Sequence, residues 1–290
     1  MRHGRGTHAE EVGRTGRTSR TEVRYGTFAN GMEHASWGTG PRTLLFLAGG
    51  PGSSVPTGRW LRTSQRWFEP FTAAGYTVWH VTRRRHMPPG HTITDVADDY
   101  GHVVADELGG RADLVVGVSF GGMVAQLLAA GHGDRLGHVA LVATAAEVSP
   151  WGKEVDARLS DAVRRGDVGA AGAAFAEYVL AGDRSRWVRR LAGPFIGRAL
   201  LSGKHFPASD VLVELEAELA CDARPALPGI RVPVVLHCGD RDRFFPPAVV
   251  AETAALIPGC AVVGYPGRGH MWVASTKQVP PAVLAFVDRT

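Results

Sequence analysis

A serine, two aspartates and a histidine, far apart in the chain, are the residues best suited to catalysis. Ser119 lies in Gly117-Val-Ser-Phe-Gly121, a G-x-S-x-G pattern between an apolar run and a helix-forming stretch. A serine on so sharp a turn is lifted off the sheet edge, beside the free N–H groups of a helix N-terminus. Serine becomes a nucleophile when a base removes its proton and a third group orients that base. The pattern therefore predicts nucleophilic catalysis by Ser119.

Candidates for the base and for the orienting acid follow later in the chain. His270 comes after one predicted strand, and Asp240 and Asp242 come directly after another. Loops at one edge of a parallel sheet converge, so the long separations in sequence do not keep these side chains from Ser119. Asp240 competes with Asp242 for the acid role, although a turn residue is its simpler interpretation. His237 lies inside the strand, and we expect it to be a core histidine.

The elements that must position these residues alternate between strands and helices. Alternation at this spacing predicts an α/β fold with a mostly parallel, doubly wound sheet. Between residues 149 and 224 only helical patterns occur, which predicts one sheet interrupted by an all-helical insertion. The predicted strands are residues 21–29, 32–37, 43–48, 76–81, 112–118, 138–144, 232–238 and 261–265, and the predicted helices are 58–73, 95–108, 120–130, 154–165, 170–180, 186–201, 210–220, 247–257 and 281–288.

The charge of the chain is unevenly distributed. Residues 1–20 hold five arginines and two glutamates, so they carry +3 of the formal net charge of +4 and leave +1 for the rest. This Gly-, Arg- and Thr-rich composition predicts a disordered arm or a vector-derived segment. Phosphate binding needs positive charge clustered on a folded surface, so we expect no nucleic-acid partner.

Other features exclude several classes of protein. The cysteines are odd in number, Cys221, Cys238 and Cys260, and none forms a CxxC pair, so neither a disulfide framework nor a zinc site is expected. Short apolar runs and a start without a secretory signal predict a cytoplasmic protein with no membrane partner. The glycine loop, residues 49–54, lacks the residues of a P-loop or a dinucleotide fingerprint. We therefore expect no cofactor, no metal and a small-molecule substrate, and leave the oligomeric state open.

Several short blocks resemble those of the α/β-hydrolase superfamily. The pattern around Ser119, the sequence Gly239-Asp-Arg-Asp242 and the pair Gly269-His270 are similar to its three catalytic blocks. The glycine loop resembles the oxyanion loop of prolyl-aminopeptidase-like members. The resemblance implies an α/β-hydrolase core at residues 21–147 and 225–290, with a helical cap at residues 148–224.

The resemblance also implies a role for each matching residue. Ser119 would be the nucleophile, His270 the base and then the acid, and Asp242 the carboxylate that orients the histidine. The backbone N–H groups of Gly50 and Phe120 would form the oxyanion hole. Together these residues would transfer an acyl group to water through an acyl-enzyme.

The chain departs from the family pattern at three places. Ala48 replaces a histidine that usually braces the loop, so we expect a change in loop rigidity more than a loss of activity. Residues 82–90 replace an Asp- and Gly-containing loop. Their Arg83-Arg-Arg-His86 run could hold an anionic substrate tail, although a solvated face is its simpler interpretation. The predicted cap shows no carboxylates that we can assign to binding a substrate amine, so aminopeptidase activity is not expected. Several aromatic residues could line an apolar pocket or belong to the core, and they remain unassigned: Trp60, Trp67 and, in the predicted cap, Trp151, Phe175, Trp187, Phe195 and Phe206.

Three hypotheses about function remain. The first is hydrolysis of an ester or related acyl bond in a small organic molecule. The second keeps the triad but uses it for thioester cleavage, C–C bond hydrolysis, lyase or cyclase chemistry, or perhydrolysis. The third is a hydrolase fold that only binds a ligand. The presence of all three triad members disfavours the third, since binding alone does not require them.

Overall fold

An eight-stranded sheet forms the centre of the computed structural model, which describes residues 22–179 and 185–290. The predicted arm at residues 1–20 lies outside the described residues. The strand order is β1-β2-β4-β3-β5-β6-β7-β8; β2 runs antiparallel to β1 and β4, and all other neighbours are parallel. The strands are β1 (Arg24–Thr27), β2 (Glu33–Trp37), β3 (Arg42–Leu47), β4 (Tyr76–Val81), β5 (Ala112–Val118), β6 (Leu136–Val142), β7 (Val234–Gly239) and β8 (Ala261–Tyr265).

The pattern of apolar residues explains this sheet. Asn30-Gly31 forms the turn of the first hairpin, with Gly31 at a φ of +82° that favours glycine. The central strand β5 is apolar on both faces, and Leu114, Val115 and Val116 are fully buried because helices cover both sides of the sheet. The predicted α/β fold with a mostly parallel sheet is confirmed.

Ten α-helices accompany the sheet in the described parts of the chain. The predicted helix over residues 95–108 begins two residues early, at a capping box between Thr92 and Asp95, and ends in a π-helical turn at Val103–Glu107. None of the described helices is long and apolar enough to cross a membrane. The helices are α1 (Gly58–Ala73), α2 (Ile93–His102), α3 (Phe120–His132), α4 (Pro150–Arg164), α5 (Val168–Phe175), α6 (Arg186–Leu201), α7 (Ala208–Ala220), α8 (Pro247–Leu256), α9 (His270–Ser275) and α10 (Val279–Val287).

Helices α4 to α7 form the helical insertion, which lies in the sequence between β6 and β7. It has a small apolar core of its own, in which Leu159, Val211 and Leu215 are fully buried. Helices α5 and α6 cross in very close contact, since a Cβ atom at Gly172 would lie only 1.9 Å from the carbonyl oxygen of Gly193. The four helices begin within about four residues of their predicted starts, and residue 180 of one prediction lies outside the described part.

Candidate active site

Ser119 lies on a strained turn between β5 and α3. Its backbone angles, φ +54° and ψ −120°, are rare for a residue with a side chain. The turn is possible because its neighbours are small: a Cβ at Gly121 would lie 2.2 Å from the carbonyl oxygen of Leu47. The sequence therefore brings the helix N-terminus against the end of β3 and leaves the Ser119 hydroxyl at the carboxyl edge of the sheet.

The structure brings Ser119, His270 and Asp242 together. The Nε2 atom of His270 lies 3.1 Å from Ser119 Oγ, and its Nδ1 atom lies 2.7 Å from Asp242 Oδ2. Both distances allow hydrogen bonds. Because the two ring nitrogens face different partners, a proton on Nδ1 would leave Nε2 free to accept the serine proton. This arrangement can do general-base and nucleophilic chemistry.

The carboxylate of Asp242 is fixed by its own loop. Its Oδ1 atom accepts hydrogen bonds from the backbone N–H groups of Phe244 and Phe245, at 2.9 and 3.1 Å. Asp240, the rival, instead accepts a hydrogen bond at 2.6 Å from the N–H of Gly267. Asp240 thus has the turn role that is its simpler interpretation, and of the two aspartates only Asp242 contacts the histidine.

His237 lies in the sheet, away from the catalytic geometry. It is fully buried, and its Nδ1 atom lies 3.0 Å from the hydroxyl of Tyr265. Burial lowers the pKa of His237 to about 4, so the ring is neutral at physiological pH. This environment is that of a core histidine.

The residues named for the oxyanion hole lie side by side next to the serine. Phe120 is the first residue of α3, so its N–H group has no acceptor within the helix. A Cβ atom at Gly50 would lie 3.2 Å from Cβ of Phe120, and one at Gly49 would lie 3.4 Å from Cβ of Ser119. Two backbone donors next to a serine hydroxyl suit the negative oxygen of a tetrahedral intermediate.

The arginine run after β4 is not a solvated face, so that prediction is wrong for two of its members. Arg83 is only 1% exposed and pairs with Glu214 of the helical insertion. Its Nη1 and Nη2 atoms also donate to the carbonyl oxygens of Ala48 and Gly49, at 2.9 and 3.3 Å. Arg85 is mostly buried and pairs with Glu33. Arg83 and Arg85 are turned inward because carboxylates and carbonyls from distant segments surround them.

A cavity of about 440 Å³ opens beside Ser119 and His270. The glycine loop, α1 and the helical insertion line it, and its surface is largely apolar. Of the aromatic residues left unassigned above, Trp60, Trp67 and Phe175 line this cavity. Trp187 and Phe195, in contrast, are largely exposed on α6. The cavity could take an uncharged organic group of moderate size.

His80 also lines the cavity, and sequence reasoning did not select it. It is 1% exposed, and neither ring nitrogen makes a well-aligned hydrogen bond with the part of the chain that the structure describes. Its ring packs edge-on against Phe46 and Trp60. Burial, and then the charge on Arg83, lower the pKa of His80 to about 3, with the Ser54 backbone acting in the opposite sense. His80 is therefore a neutral ring in the wall of the cavity.

Residues 27–282 match a model of the alpha/beta hydrolase family. The chain belongs to the alpha/beta hydrolase family. The match covers strands β2 to β8, Ser119, Asp242 and His270 together with the helical insertion. Within the described residues, no cluster of three or more His, Cys, Asp or Glu side chains could hold a metal ion.

Two solved hydrolase structures resemble this chain over most of their length. The enol-lactonase from Burkholderia xenovorans LB400 is 25% identical, with a TM-score of 0.68 over 91% of this chain and 100% of that chain. An esterase from Exiguobacterium antarcticum, 17% identical, shares the fold with a TM-score of 0.68 over 91% of this chain and 98% of that chain. Family membership and the likeness to an enol-lactonase support an enzyme of the hydrolase type.

A curated relative of this hydrolase is a much longer protein. The polyketide synthase ThaQ from Burkholderia thailandensis is 29% identical over 213 residues, which are 71% of this chain and 10% of that protein. This chain therefore spans about a tenth of the length of that relative.

For this hydrolase, the sequence indicated Ser119, Asp242 and His270, which the structure brings together, but not what holds the glycine loop. Arg83 and Glu214 are 131 residues apart and meet only in the folded chain. The one available signal was Ala48. It stands where related proteins usually have a histidine that supports the loop, so another residue had to provide that support. A run of arginines usually indicates exposure, and that usual interpretation concealed Arg83.

Proposed function

We propose that this chain is a serine hydrolase that cleaves an ester or related acyl bond of a small, largely apolar molecule. The observation that carries this proposal is the connected series Ser119 Oγ, His270 and Asp242, with distances of 3.1 and 2.7 Å. These three groups, beside an apolar cavity, are what acyl transfer through a serine requires.

The reaction proceeds in two halves. His270 Nε2 takes the proton from Ser119 Oγ as the oxygen attacks the carbonyl carbon of the substrate. The negative oxygen of the tetrahedral intermediate accepts hydrogen bonds from the N–H groups of Gly50 and Phe120. The protonated histidine, stabilised by Asp242, gives its proton to the leaving oxygen as the bond from carbonyl carbon to that oxygen breaks. An alcohol departs and an acyl-serine ester remains.

Water completes the cycle by the same proton path. His270 takes a proton from a water molecule as its oxygen attacks the acyl-serine carbonyl. The Ser119 oxygen then leaves, recovers a proton from the histidine, and the carboxylic acid is released. The largely apolar lining of the cavity favours an uncharged acyl group over a charged one.

A second candidate is cleavage of a thioester by the same groups. The observation in its favour is the similarity to a stretch of a polyketide synthase. Serine attack on a thioester requires the same base and the same oxyanion donors, and a thiol leaves in place of an alcohol. The two candidates differ only in the leaving group.

Two experiments test these functions. A fluorophosphonate probe should label the protein, and Ser119→Ala should abolish labelling while the variant keeps its circular dichroism and thermal unfolding temperature. An unlabelled wild-type protein would contradict the serine-hydrolase proposal and favour a ligand-binding role. Matched butyryl substrates, the p-nitrophenyl ester and the N-acetylcysteamine thioester, then separate the two leaving groups. A kcat/KM at least ten times higher for the thioester would favour the second candidate.

A further inference from the structure

A buried ion pair joins the helical insertion to the segment that follows β4. Arg83 and Glu214 have side chains that are 1% and 2% exposed. Two hydrogen bonds connect them, Nε to Oε1 at 2.5 Å and Nη2 to Oε2 at 3.0 Å. Burial opposes the charge on the guanidinium, but the Glu214 carboxylate raises the pKa of Arg83 above its usual value. Buried charges are tolerated only when their remaining polar atoms are also satisfied.

Those remaining atoms are satisfied by the loop next to the serine. The Arg83 side chain donates to the carbonyl oxygens of Ala48 and Gly49. The backbone N–H of Arg83 donates to Ser53 Oγ at 3.0 Å, and Glu214 Oε2 accepts the N–H of Gly52. The pair therefore holds the glycine loop at both ends, whereas Ala48 itself provides no polar side chain to brace it.

The contact to Gly49 fixes the direction of the proposed oxyanion donor. The carbonyl of Gly49 and the N–H of Gly50 belong to one planar trans peptide, so they point in opposite directions. When Arg83 holds the carbonyl, the N–H of Gly50 must point away from the guanidinium. Arg83 also packs on the second donor residue, since its guanidinium carbon lies over the Phe120 ring, 4.6 Å from the ring centre.

We infer that Arg83 and Glu214 are positioning residues that set the oxyanion hole through their direct contacts with the glycine loop. This inference rests on the proposed serine-hydrolase function. Neither side chain touches the reacting atoms; each acts through the glycine loop. The helical insertion would thus contribute to the rate of acyl transfer as well as to substrate binding.

The same helix offers a matched control. Asp210 of α7 is 2% exposed, and its two carboxylate oxygens accept the backbone N–H groups of His86 and Met87. It anchors α7 to the segment after β4, as Glu214 does, but its hydrogen bonds go to residues outside the glycine loop. Substitution of Asp210 weakens the attachment of α7 to the core without touching the glycine loop. It therefore shows whether the position of α7 or the contact with the loop controls kcat.

The experiment compares Glu214→Gln, Arg83→Lys and Asp210→Asn with the wild type. The neutral amide in Glu214→Gln would leave the Arg83 charge without a counter-ion, and the lysine in Arg83→Lys could not reach the carboxylate and both carbonyls at once. We expect kcat on p-nitrophenyl butyrate to fall about 10- to 100-fold in the first two variants, less than the about 10²- to 10³-fold cost of removing a whole oxyanion donor, with KM within about threefold. Asp210→Asn should keep kcat within about threefold.

A second readout excludes a purely structural effect. Phenylboronic acid forms a tetrahedral adduct with an active-site serine, and one of its oxygens occupies the oxyanion position. Its inhibition constant should rise in step with the loss of kcat in Glu214→Gln and Arg83→Lys, and thermal unfolding identifies any variant that is not folded at the assay temperature.

Three results would overturn the inference. The first is wild-type kcat in folded Glu214→Gln and Arg83→Lys. The second is an equal loss of kcat in Asp210→Asn, which would make general seating of α7 the cause. The third is an unchanged boronate inhibition constant. All three leave the serine-hydrolase proposal intact if the wild type is labelled by fluorophosphonate; an unlabelled wild type would refute both.

Discussion

Asp242 Oδ2 lies 2.7 Å from His270 Nδ1, and the rest of the Asp242 carboxylate is held in place by its own loop. One carboxylate oxygen faces His270 Nδ1, and the other accepts two backbone N–H groups of its own loop. The side chain of Asp242 is 1% exposed, so water does not compete for either oxygen. The histidine therefore has one preferred orientation, with Nε2 directed at Ser119.

The first prediction concerns this contact. In Asp242→Asn the amide can present its NH2 group to the imidazole, which would favour the proton on Nε2 and leave no base facing Ser119. We expect kcat to fall by about 10⁴-fold with little change in KM. Steady-state kinetics on p-nitrophenyl butyrate measures it, and Asp240→Asn is the control, with kcat expected within about threefold of wild type. A larger loss in Asp240→Asn would reassign the acid.

The second prediction concerns the turn that carries the serine. A methyl group at Gly121 would meet the carbonyl of Leu47 at 2.2 Å, whereas one at Gly131 in the same helix would meet nothing within 4 Å. We expect Gly121→Ala to lower the free energy of unfolding by about 1 to 3 kcal/mol and to reduce fluorophosphonate labelling. Gly131→Ala should raise that free energy by up to about 1 kcal/mol. Urea unfolding of both variants measures the difference, and equal effects would contradict the proposed steric cause.

The sheet and the three side chains of the site were accessible from sequence because their signals are local. Apolar runs of strand length determine the sheet, and the small residues around Ser119 are required by the turn itself. The order of the strands and the convergence of their loops then bring Asp242 and His270 to the same edge. Each of these inferences needs only a short stretch of chain and the general rules of α/β topology.

The support of the glycine loop was not accessible because it depends on contacts between distant segments. Whether Arg83 is exposed depends on Glu214, and nothing within its own segment indicates such a partner. The burial of His80 has the same origin, since a polar residue in a strand can face either solvent or a wall of aromatic rings. A sequence pattern indicates the structural preference of its own segment. Whether a polar side chain is buried depends instead on the residues that pack against it in the fold.

The third prediction concerns the wall of the cavity. Trp60 lines the cavity and Trp187 does not, and both are tryptophans with considerable exposure. We expect Trp60→Ala to lower kcat/KM about tenfold for a p-nitrophenyl ester with a medium-length acyl chain, because apolar contact area is lost. The acetate ester should be affected less. Trp187→Ala serves as the control, and equal effects on both esters would contradict an acyl-binding role for Trp60.

The fourth prediction concerns a buried acid in the helical insertion. Asp156 is fully buried, accepts a hydrogen bond from the hydroxyl of Tyr178, and lies near the buried Glu218. Burial raises the pKa of Asp156 to about 6, from 3.8 in the unfolded chain, so the folded state holds its proton longer. The stabilisation that this proton provides is complete below pH 4 and is lost as pH rises through 6.

Asp156→Asn removes this titration and keeps an acceptor for Tyr178. Between pH 4.5 and 7.5, the variant should therefore gain stability relative to wild type, by about 2 kcal/mol in total. Urea unfolding at several pH values measures the gain. Parallel pH profiles for the two proteins would show that Asp156 titrates alike in the folded and unfolded states.

The fifth prediction concerns His80, for which the change of stability with pH has the opposite sign. Burial makes an acid such as Asp156 keep its proton, whereas burial makes a histidine give its proton up. The pKa of His80 is lowered to about 3 in the folded protein, against 6.5 in the unfolded chain. Stability is therefore complete above pH 6.5 and is lost as pH falls toward 3. His80→Phe keeps a ring between Phe46 and Trp60 but cannot titrate, so it should match wild type near pH 7.5 and exceed it by about 2 kcal/mol at pH 5. Urea unfolding at the two pH values measures this, and a constant difference between them would mean that the imidazole accepts its proton in the folded state as readily as in the unfolded chain.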